Sequence, residues 1–568
     1  MKNLRKISAL FIALAMVLSV ISSLSGLRVK AAPHQTTLVI HKIVMPKKKM
    51  DDHKDNEGRR DGKKYTGAKI TDMSYFDGGV EVKGVAFDVY KRVAATEPDS
   101  LEPANTIFGG VATPDDGTYH FKKVNTSILR TGEGNAGVET TLDDGVYIIV
   151  ENKADSTYSS ADNKILSEAK AVPARIELPL TKPDGSGLFG TADADKLHLY
   201  PKNTEEKPDI DKTVGDLVNK YQSTRVGEKV TWYLQLTAPT DIKNYKVLKL
   251  SDTFSNSLTY QTGSVVVKYG SGATFDAATY QTLVKDTDYE LDETVNNAVT
   301  IKLKDAGIAK LSAGDKVIAK VDTVINDKAI MGKDIPNDGY TIEYGHKPGN
   351  DGTKDKLPRE KEPKVVTGGK KFKKVIDGTE TPLEDAVFEL HDDATVVNWT
   401  DALIAANKEA IDTGKFAIKN GSAYEATSAA KQPTAGQPIY LRSIADGTFE
   451  IKGLEYSSWR KQKYDPGTNS IVDDTAIPAI THKWNIVEVK APNGYALNST
   501  PVEFTINAAS YFVDPTIASP VAADPLKVNN KKVTIPQTGG IGTVIFAVVG
   551  LGLMGFAAYA MKRNSKED

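Results

Sequence analysis

The chain has 568 residues, a formal net charge of −2 at pH 7 and no cysteine. The balanced charge creates no field that would favour nucleic acid, and the missing cysteine excludes disulfide bonds as covalent reinforcement. The length is sufficient for about three domains of ordinary size.

The N-terminus has the parts of a secretory signal peptide in the usual order. Basic residues precede an apolar stretch from Ile7 to Leu24, and Val29-Lys30-Ala31 offers small residues at a cleavage spacing. This order is typical of a signal peptide rather than of a core helix. We therefore predict a signal peptide at residues 1–31 and a secreted chain that begins near Ala32 or Pro33.

The rest of the chain is dominated by segments in which apolar and polar residues alternate with a period of two. Thr37 to Ile43, Lys229 to Thr237 and Phe449 to Leu454 are examples, and clusters of Gly, Asn, Asp and Pro separate such segments. Helical periodicity is confined to short pieces such as Trp399 to Ala410. The pattern is typical of antiparallel β-sandwiches, so the predicted fold class is all-β, with sandwich domains in tandem.

Two polar stretches, Thr204 to Asp209 and Lys347 to Val366, divide this part of the chain. The predicted units are an N-terminal domain at 32–204, a middle domain at 205–346, a linker at 347–363 and a C-terminal domain at 364–532. The mixed-charge stretch from Lys47 to Lys64 is predicted to be a solvated loop of the N-terminal domain.

Three predicted strands carry a carboxyl group on a face that is otherwise apolar. Glu488 shares a face with Trp484 and Ile486, and Glu151 and Asp252 repeat this arrangement. An isolated carboxyl group inside a core is costly and favours its neutral form. One such residue in each predicted domain needs an explanation.

Lysine and asparagine show the same anomaly. Near the start of each domain a lysine lies on an apolar face, and near its end an asparagine lies on or beside one. The lysines are Lys42, Lys212 and Lys370, and the asparagines are Asn203, Asn337 and Asn530. Each domain is thus predicted to bring together one lysine, one asparagine and one acid.

Such a trio can form an isopeptide bond without an enzyme. An apolar site lowers the pKa of a lysine and leaves a neutral amine, which is a nucleophile. A neutral acid polarises the asparagine carboxamide and transfers protons. The amine attacks and ammonia leaves, helped by an effective molarity on the order of 10⁵ M or more. The alternative interpretation is three buried salt bridges or snorkelling lysines.

The C-terminus carries three signals in order. Ile535-Pro536-Gln537-Thr538-Gly539 precedes an uncharged apolar run from Ile541 to Ala560, and two basic residues follow. The pentapeptide resembles the LPxTG cell-wall sorting signal of Gram-positive surface proteins, with Ile in place of Leu. In that family a sortase cleaves between Thr and Gly, here Thr538 and Gly539, and joins the Thr to an amine. We predict a sorting signal at 535–568 that includes a transmembrane helix; the alternative is an ordinary C-terminal anchor helix.

Further motifs extend the resemblance. Leu197 to Asn203 (LHLYPKN) resembles the pilin motif, which ends in YPKN, and Trp484 to Tyr495 (WNIVEVKAPNGY) resembles the pilin E-box. Gly368 to Phe372 resembles the first strand of collagen-adhesin B-type domains. With the sorting signal, these motifs resemble a major backbone pilin of sortase-assembled Gram-positive pili.

This resemblance implies immunoglobulin-like domains, of collagen-adhesin A type in the middle and B type at the C-terminus, closed by self-generated isopeptide bonds. The implied groups are Lys42–Asn203 with Glu151, Lys212–Asn337 with Asp252, and Lys370–Asn530 with Glu488. Three alternatives stay open: Lys374 for Lys370, Asn529 for Asn530, and Asp338 for Asn337.

The resemblance gives Lys202 a separate role. Its ε-amine is implied to attack the acyl-enzyme formed at Thr538 of another subunit, which joins subunits head to tail. Alternation places Lys202 on the face of His198 and Tyr200, opposite Asn203, where it is expected to reach a partner.

The predicted function is therefore that of a structural shaft subunit of a cell-wall-anchored surface pilus that supports adhesion, and not that of an enzyme. The implied partners are identical subunits, a pilus-specific sortase, a housekeeping sortase, minor pilins, peptidoglycan and host surface or matrix proteins. No cofactor or metal site is predicted. The alternative function is that of a monomeric wall-anchored adhesin that binds host extracellular matrix.

Overall fold

The computed structural model describes residues 34–52, 59–60, 63–100, 120–132, 136–170, 173–349, 352–532 and 540–564. The predicted signal peptide and the motif at 535–539, with Thr538 and Gly539, lie outside these ranges. Each β-sheet takes its strands from one of three consecutive parts of the chain, which we call the N-terminal, middle and C-terminal domains. The all-β prediction is confirmed, because these sheets form sandwich-like domains.

The N-terminal domain is built around two sheets whose apolar faces meet. Its strands are β1 (Gln35–Ile40), β2 (Ile43–Val44), β3 (Arg59–Arg60), β4 (Lys63–Lys64), β5 (Val80–Glu81), β6 (Ala86–Val93), β7 (His120–Lys123), β8 (Leu129–Arg130), β9 (Val138–Asp143), β10 (Gly145–Asn152), β11 (Ile165–Lys170), β12 (Ala174–Leu178), β13 (Leu197–Leu199) and β14 (Lys202–Glu206). β1 lies between β13, to which it is parallel, and β9. β10 lies between β6 and β12, and its Tyr147 and Ile149 pack in one core with Leu38 and Ile40 of β1.

The middle domain repeats the two-sheet plan. Its strands are β15 (Asp209–Val214), β16 (Tyr221–Ser223), β17 (Lys229–Thr237), β18 (Val247–Thr253), β19 (Leu258–Tyr260), β20 (Val266–Gly270), β21 (Tyr280–Thr282), β22 (Tyr289–Asp292), β23 (Ala298–Leu303), β24 (Lys316–Ile325), β25 (Ile335–Pro336), β26 (Thr341–Gly345), β27 (Thr353–Lys356) and β28 (Lys364–Val366). β17 lies between β15 and β24, and β18 lies between β23 and β26. Alternate residues of β17, including Trp232 and Leu234, fill the space between the sheets.

The C-terminal domain has a small three-stranded sheet and a larger one. Its strands are β29 (Gly368–Ile376), β30 (Val387–Asp392), β31 (Thr395–Val396), β32 (Phe416–Asn420), β33 (Ala423–Ala426), β34 (Tyr440–Arg442), β35 (Thr448–Leu454), β36 (Ser458–Trp459), β37 (Gln462–Asp465), β38 (Ser470–Asp473), β39 (Ile480–Thr481), β40 (Trp484–Lys490), β41 (Val502–Glu503) and β42 (Leu526–Asn530). β29 lies between β35 and β42, and β42 runs parallel to it. The buried apolar residues of the middle and C-terminal domains form one continuous core.

The predicted linker at 347–363 is corrected by the strand pairing. β27 pairs antiparallel with β26 and therefore belongs to a sheet of the middle domain. The predicted start of the C-terminal domain at 364 is corrected as well, because β28 pairs with β16 and β25 of the middle domain. β27 is an edge strand with the sequence TKDK, and charged side chains are typical of edge strands. The polar sequence of β27 therefore resembles that of a linker, although the chain here forms the edge strand of a sheet.

The α-helices are α1 (Lys47–Asp52), α2 (Asp305–Lys310), α3 (Asp401–Ala406), α4 (Lys408–Asp412) and α5 (Gly540–Asn564). α3 and α4 correspond to the predicted helical piece, and the Thr400 side chain caps α3 by accepting a hydrogen bond from the Leu403 N–H. α1 begins the stretch that was predicted to be a solvated loop. That prediction is wrong for Met50, which is 1% exposed.

The predicted transmembrane helix is also corrected. α5 covers the apolar run, but among the described residues no helix is both long enough and apolar enough to cross a bilayer.

Candidate functional site: three buried clusters and one covered lysine

The first cluster lies inside the N-terminal domain. Lys42 lies between β1 and β2, Glu151 is in β10 and Asn203 is in β14. The Lys42 Nζ donates a hydrogen bond to a Glu151 carboxyl oxygen and another, of 2.5 Å, to Asn203 Oδ1. Asn203 Nδ2 donates to Glu151 Oε1 at 3.0 Å. Lys42 and Asn203 are both fully buried, so amine, carboxamide and acid meet away from water.

The second cluster lies in the middle domain. The Lys212 Nζ lies 2.7 and 2.6 Å from the two carboxyl oxygens of Asp252, and Asn337 Nδ2 donates to Asp252 Oδ2 at 3.2 Å. The side chains of Lys212 and Asp252 are completely buried. Gly339 permits this approach, because a Cβ at that position would lie 2.1 Å from the carbonyl oxygen of Thr253. A glycine is therefore needed two residues after Asn337.

The third cluster lies in the C-terminal domain. The Lys374 Nζ lies 2.9 Å from Glu488 Oε1, and Asn530 Nδ2 donates to the same oxygen at 3.2 Å. The other Glu488 oxygen accepts a hydrogen bond of 2.7 Å from the Asn498 backbone N–H. The side chains of Lys374 and Glu488 are at most 1% exposed. The geometry of the other two domains is thus repeated here.

The structure places Lys374, and not the predicted Lys370, in this cluster. In the parallel pair of β29 and β42, Asn530 is opposite Ile376, two residues beyond Lys374. Lys370 is six residues from Ile376, which is about 20 Å along a strand. The N-terminal domain has the same offset, since Asn203 is opposite Val44, two residues beyond Lys42.

The other two alternatives lie outside the clusters. Asn529 and Asp338 are both exposed, whereas their neighbours Asn530 and Asn337 are buried. The structure therefore brings together eight of the nine predicted cluster residues, and Lys374 replaces the ninth.

Aromatic rings surround the lysines and strengthen their desolvation. Glu151 is paired across the sheet with Phe87, and Glu488 with Phe388. These rings lie 5.7 Å from the Lys42 Nζ and 5.2 Å from the Lys374 Nζ, and Trp232 lies 5.6 Å from the Lys212 Nζ. A ring face attracts a cation modestly, but it offers none of the hydration that a charged amine loses on burial.

Burial shifts the protonation of these groups towards their neutral forms. It lowers the pKa of Lys42 and of Lys374, and it lowers the pKa of Lys212 to about 8, although the neighbouring carboxyl groups oppose this shift. Burial also raises the pKa of Asp252. In the middle domain, an amine that readily loses a proton therefore lies beside an acid that readily holds one.

Lys202 lies outside these clusters and is covered. It is on the face opposite Asn203, as predicted, but the prediction that this face is open to a partner is wrong. Lys202 is 7% exposed, its Nζ donates to the Tyr200 carbonyl oxygen at 3.3 Å, and the Nζ lies 5.7 Å from the centre of the Phe76 ring. This face is covered by a small apolar cluster that is separate from the main core of the domain. The cluster consists of Ile43, Met45, Met50, Phe76 and Tyr200.

Comparison with known proteins shows the family to which this chain belongs. Residues 33–204 match the family model of the Gram-positive pilin subunit D1, N-terminal domain, and residues 527–568 match that of the LPXTG cell wall anchor motif. This chain is 30% identical to the 35 kDa C-terminal fragment of the major pilin GBS80 of Streptococcus agalactiae. The match covers 57% of this chain and all of that fragment, with a TM-score of 0.45. This chain belongs to the Gram-positive pilins.

Similarity extends along most of the pilin. The fimbrial subunit type 1 of Actinomyces viscosus is 22% identical over 93% of this chain and 91% of its own length. The full-length RrgB pilus protein from Streptococcus pneumoniae shares the fold, with 22% identity, a TM-score of 0.55, and coverage of 90% of this chain and all of that one. The pilin is a structural backbone subunit of a surface pilus, anchored to the cell wall and processed by a sortase.

A buried histidine pair, which no sequence pattern indicated, lies next to Tyr200 in this pilin. His41 Nε2 and His198 Nδ1 lie 2.9 Å apart, and His41 Nδ1 lies 2.6 Å from Glu81 Oε1. His41 also stacks on Tyr200, with ring centres 4.3 Å apart. Burial, followed by the neighbouring His41, lowers the pKa of His198 to about 4.

We expect acid to destabilise the N-terminal domain through His198. An unfolded histidine takes up a proton near pH 6.5, whereas His198 in the folded pilin does so only near pH 4. The contribution of His198 to the free energy of unfolding is therefore present above pH 6.5 and is lost as the pH falls towards 4. Amide hydrogen exchange of β1 at pH 7.5 and 4.5, in the mature pilin and in His198→Asn, measures this effect. Identical acid sensitivity of the two proteins would contradict it.

Proposed function

We propose that this pilin is the polymerised shaft of the pilus and that folding closes each of its three domains with a Lys–Asn isopeptide bond. The proposed pairs are Lys42–Asn203, Lys212–Asn337 and Lys374–Asn530. One observation carries the proposal: in every domain a buried acid contacts both a buried amine and a buried carboxamide.

The contacts support a specific reaction. The neutral lysine amine attacks Cγ of the asparagine and forms the amide bond. One proton of the amine passes through the acid to the asparagine Nδ2, the Cγ–Nδ2 bond breaks, and ammonia leaves. Each acid already lies within hydrogen-bonding distance of both groups between which the proton must pass. Burial holds the reactants together, so no enzyme is needed.

The proposed bonds suit a subunit that carries tension. In the N-terminal and C-terminal domains the bond joins the chain near the first strand to the last strand, as Lys374 in β29 and Asn530 in β42 illustrate. In the middle domain it joins the first strand, β15, to Asn337, which follows β25, and β25 pairs with the last strand, β28. A cross-link between the ends of a domain restrains the sandwich from opening under load, and it also restricts the unfolded chain. It provides this reinforcement in a chain without cysteine.

For polymerisation, we propose that Thr538 of one subunit is joined to Lys202 of the next. A pilus-specific sortase breaks the Thr538–Gly539 bond and holds the Thr538 acyl group. The Lys202 amine attacks that carbonyl, the bond to the enzyme breaks, and the enzyme nucleophile takes up the proton. The matches of residues 33–204 to the pilin D1 domain and of residues 527–568 to the cell wall anchor motif support the two ends of this link, and repetition gives an open head-to-tail polymer.

The same proposal includes the remaining partners. A housekeeping sortase attaches the finished polymer to peptidoglycan, and minor pilins and host surface proteins contact the shaft. Removal of the Lys202 amine tests the acceptor assignment, because a subunit without its acceptor cannot be extended.

Intact mass tests the internal bonds. Each bond releases one ammonia, so the measured mass of the mature pilin is expected to be lower than the mass calculated from its sequence by three ammonia molecules. A triple variant with Glu151→Gln, Asp252→Asn and Glu488→Gln removes the proton-transferring acids and should have the full sequence mass. A wild-type mass equal to the sequence mass would contradict the proposal and would leave three buried ionic clusters.

A further inference from the structure

The amine that has to reach the acyl-enzyme is buried beneath another part of its own domain. We use "the cover" for α1 (Lys47–Asp52) together with the short 3-10 turn Met73–Phe76. α1 packs against β14, which begins with Lys202, and the Phe76 ring faces the Lys202 Nζ. Met50 and Phe76 of the cover are 1% and 0% exposed. The covered state therefore has its own small core.

The cover is fastened to the strands around Lys202. The Ile70 N–H donates to the Tyr200 hydroxyl at 2.8 Å, and the Tyr65 hydroxyl donates to the His198 carbonyl oxygen. The His198 N–H donates to the Gly67 carbonyl oxygen at 2.8 Å. These hydrogen bonds connect the residues between α1 and the turn to the strand segment that ends at Lys202.

The strand itself cannot turn to expose the amine. Successive residues of a strand point to opposite faces, so a rotation of β14 that moved Lys202 away from the cover would also have to take Asn203 out of the core. Asn203 is held there by Lys42 and Glu151. An isopeptide bond between Lys42 and Asn203 would make this restraint permanent. Any exposure of Lys202 therefore has to come from movement of the cover.

We propose that the cover masks Lys202 in the free subunit and lifts before the bond between subunits forms. This inference rests on the proposed function, because it concerns the accessibility of the proposed acceptor. The internal bond of the N-terminal domain holds β14, the strand that carries Lys202, in place, and the cover is the part that moves. A subunit is thereby a poor acceptor until the acyl-enzyme complex displaces the cover.

Gly79 offers a way to open the cover. A Cβ at this position would lie 2.8 Å from a side-chain carbon of Ile43, 2.9 Å from one of Met45 and 3.0 Å from one of Phe76. The added methyl group of Gly79→Ala is therefore expected to push Phe76 of the cover away from Ile43 and Met45. Gly132→Ala is the matched control in the same domain, because among the described residues the nearest neighbour of its Cβ would be 3.6 Å away. Phe76→Ala is a second opening variant, and Phe121→Ala is its control, since Phe121 is equally buried elsewhere in the domain.

Acetylation of amines in the purified mature pilin, followed by peptide mass spectrometry, measures the masking without a sortase. Lys229, whose side chain is 61% exposed, is the internal reference. In the wild type, Lys202 is expected to react at least about tenfold more slowly than Lys229, because a buried amine reacts only through an open state. Gly79→Ala and Phe76→Ala should accelerate the reaction at Lys202 by about tenfold, with little change in the two controls.

Two outcomes would overturn the inference: wild-type Lys202 reacting as fast as Lys229, or no acceleration in either opening variant. Hydrogen exchange of β1 shows whether a variant has unfolded the domain. If Gly79→Ala unfolds it, the rate at Lys202 is measured in Phe76→Ala instead. Failure of the proposed function has a different signature. If pili still form with Lys202→Ala, the acceptor assignment is overturned, whatever the acetylation rates are.

Discussion

Replacing Lys374 with alanine is expected to add one ammonia to the measured mass of the mature pilin, beyond the change of side chain, and to destabilise its C-terminal domain strongly. The proposed bond closes a long loop, since 155 residues separate Lys374 from Asn529, the neighbour of Asn530. A cross-link around a loop of this size restricts the unfolded chain by on the order of 5 kcal/mol. For a domain of this size the loss corresponds to a decrease in Tm of about 10 °C or more.

Lys370→Ala is the matched control. Lys370 lies in the same strand, β29, and on the same face, but four residues from Lys374 and outside the cluster. This variant should keep the wild-type mass deficit of three ammonia molecules and nearly the wild-type Tm. A deficit of three ammonia molecules in Lys374→Ala and of only two in Lys370→Ala would overturn the assignment and restore Lys370 as the reacting residue.

Glu488→Gln separates the bond from the packing. It keeps both Lys374 and Asn530 and nearly the same volume, but it removes the acid that transfers the proton. The mass should again show one retained ammonia. Part of the loss of stability in Lys374→Ala comes from the cavity that the missing, fully buried lysine side chain leaves next to Glu488. Comparing the two variants therefore distinguishes the loss of the covalent link from the loss of packing around it.

The acids were predictable from the sequence because they lie in long central strands. Alternation in such a strand is a local property, and each acid is on the apolar face of its strand. Asp252 and Glu488 are buried, and the Glu151 side chain is 5% exposed. Choosing between Lys370 and Lys374 was not possible in this way. Both lie on one face of β29, and the choice depends on the register of β42, which pairs with β29 from a distant part of the chain.

The cover on Lys202 was missed for a different reason. Alternation correctly placed Lys202 and Asn203 on opposite faces, but it does not say what covers an outer face. Of the residues that cover it, Met50 is an isolated apolar residue in a stretch dominated by charge, and Phe76 lies in a short turn further along the chain, so the two form no periodic pattern. Their packing against Tyr200 is visible only in the folded domain. In the same way, the polar composition of β27 concealed its pairing with β26.

We expect Lys202→Ala to abolish the high-mass ladders that a sortase-assembled pilus gives on denaturing gels of cell-wall extracts. A ladder requires a covalent link between subunits, and the proposed acceptor of every link is the Lys202 amine. Thr538 is unchanged in this variant, so single subunits should still be attached to the wall. Lys202→Arg should have the same effect, because a guanidinium group keeps the charge but remains protonated and is a poor nucleophile.

Lys207→Ala provides the control for this experiment. Lys207 lies just after β14, its side chain is 36% exposed, and it forms an ion pair with Asp355. It is therefore more accessible than Lys202, and a sortase that selected lysines by exposure alone would favour it. Ladders that persist in Lys202→Ala and vanish in Lys207→Ala would identify Lys207 as the acceptor. Loss of ladders in Lys202→Ala alone would instead mean that the acceptor is chosen by its place in the pilin motif, even though the folded subunit covers it.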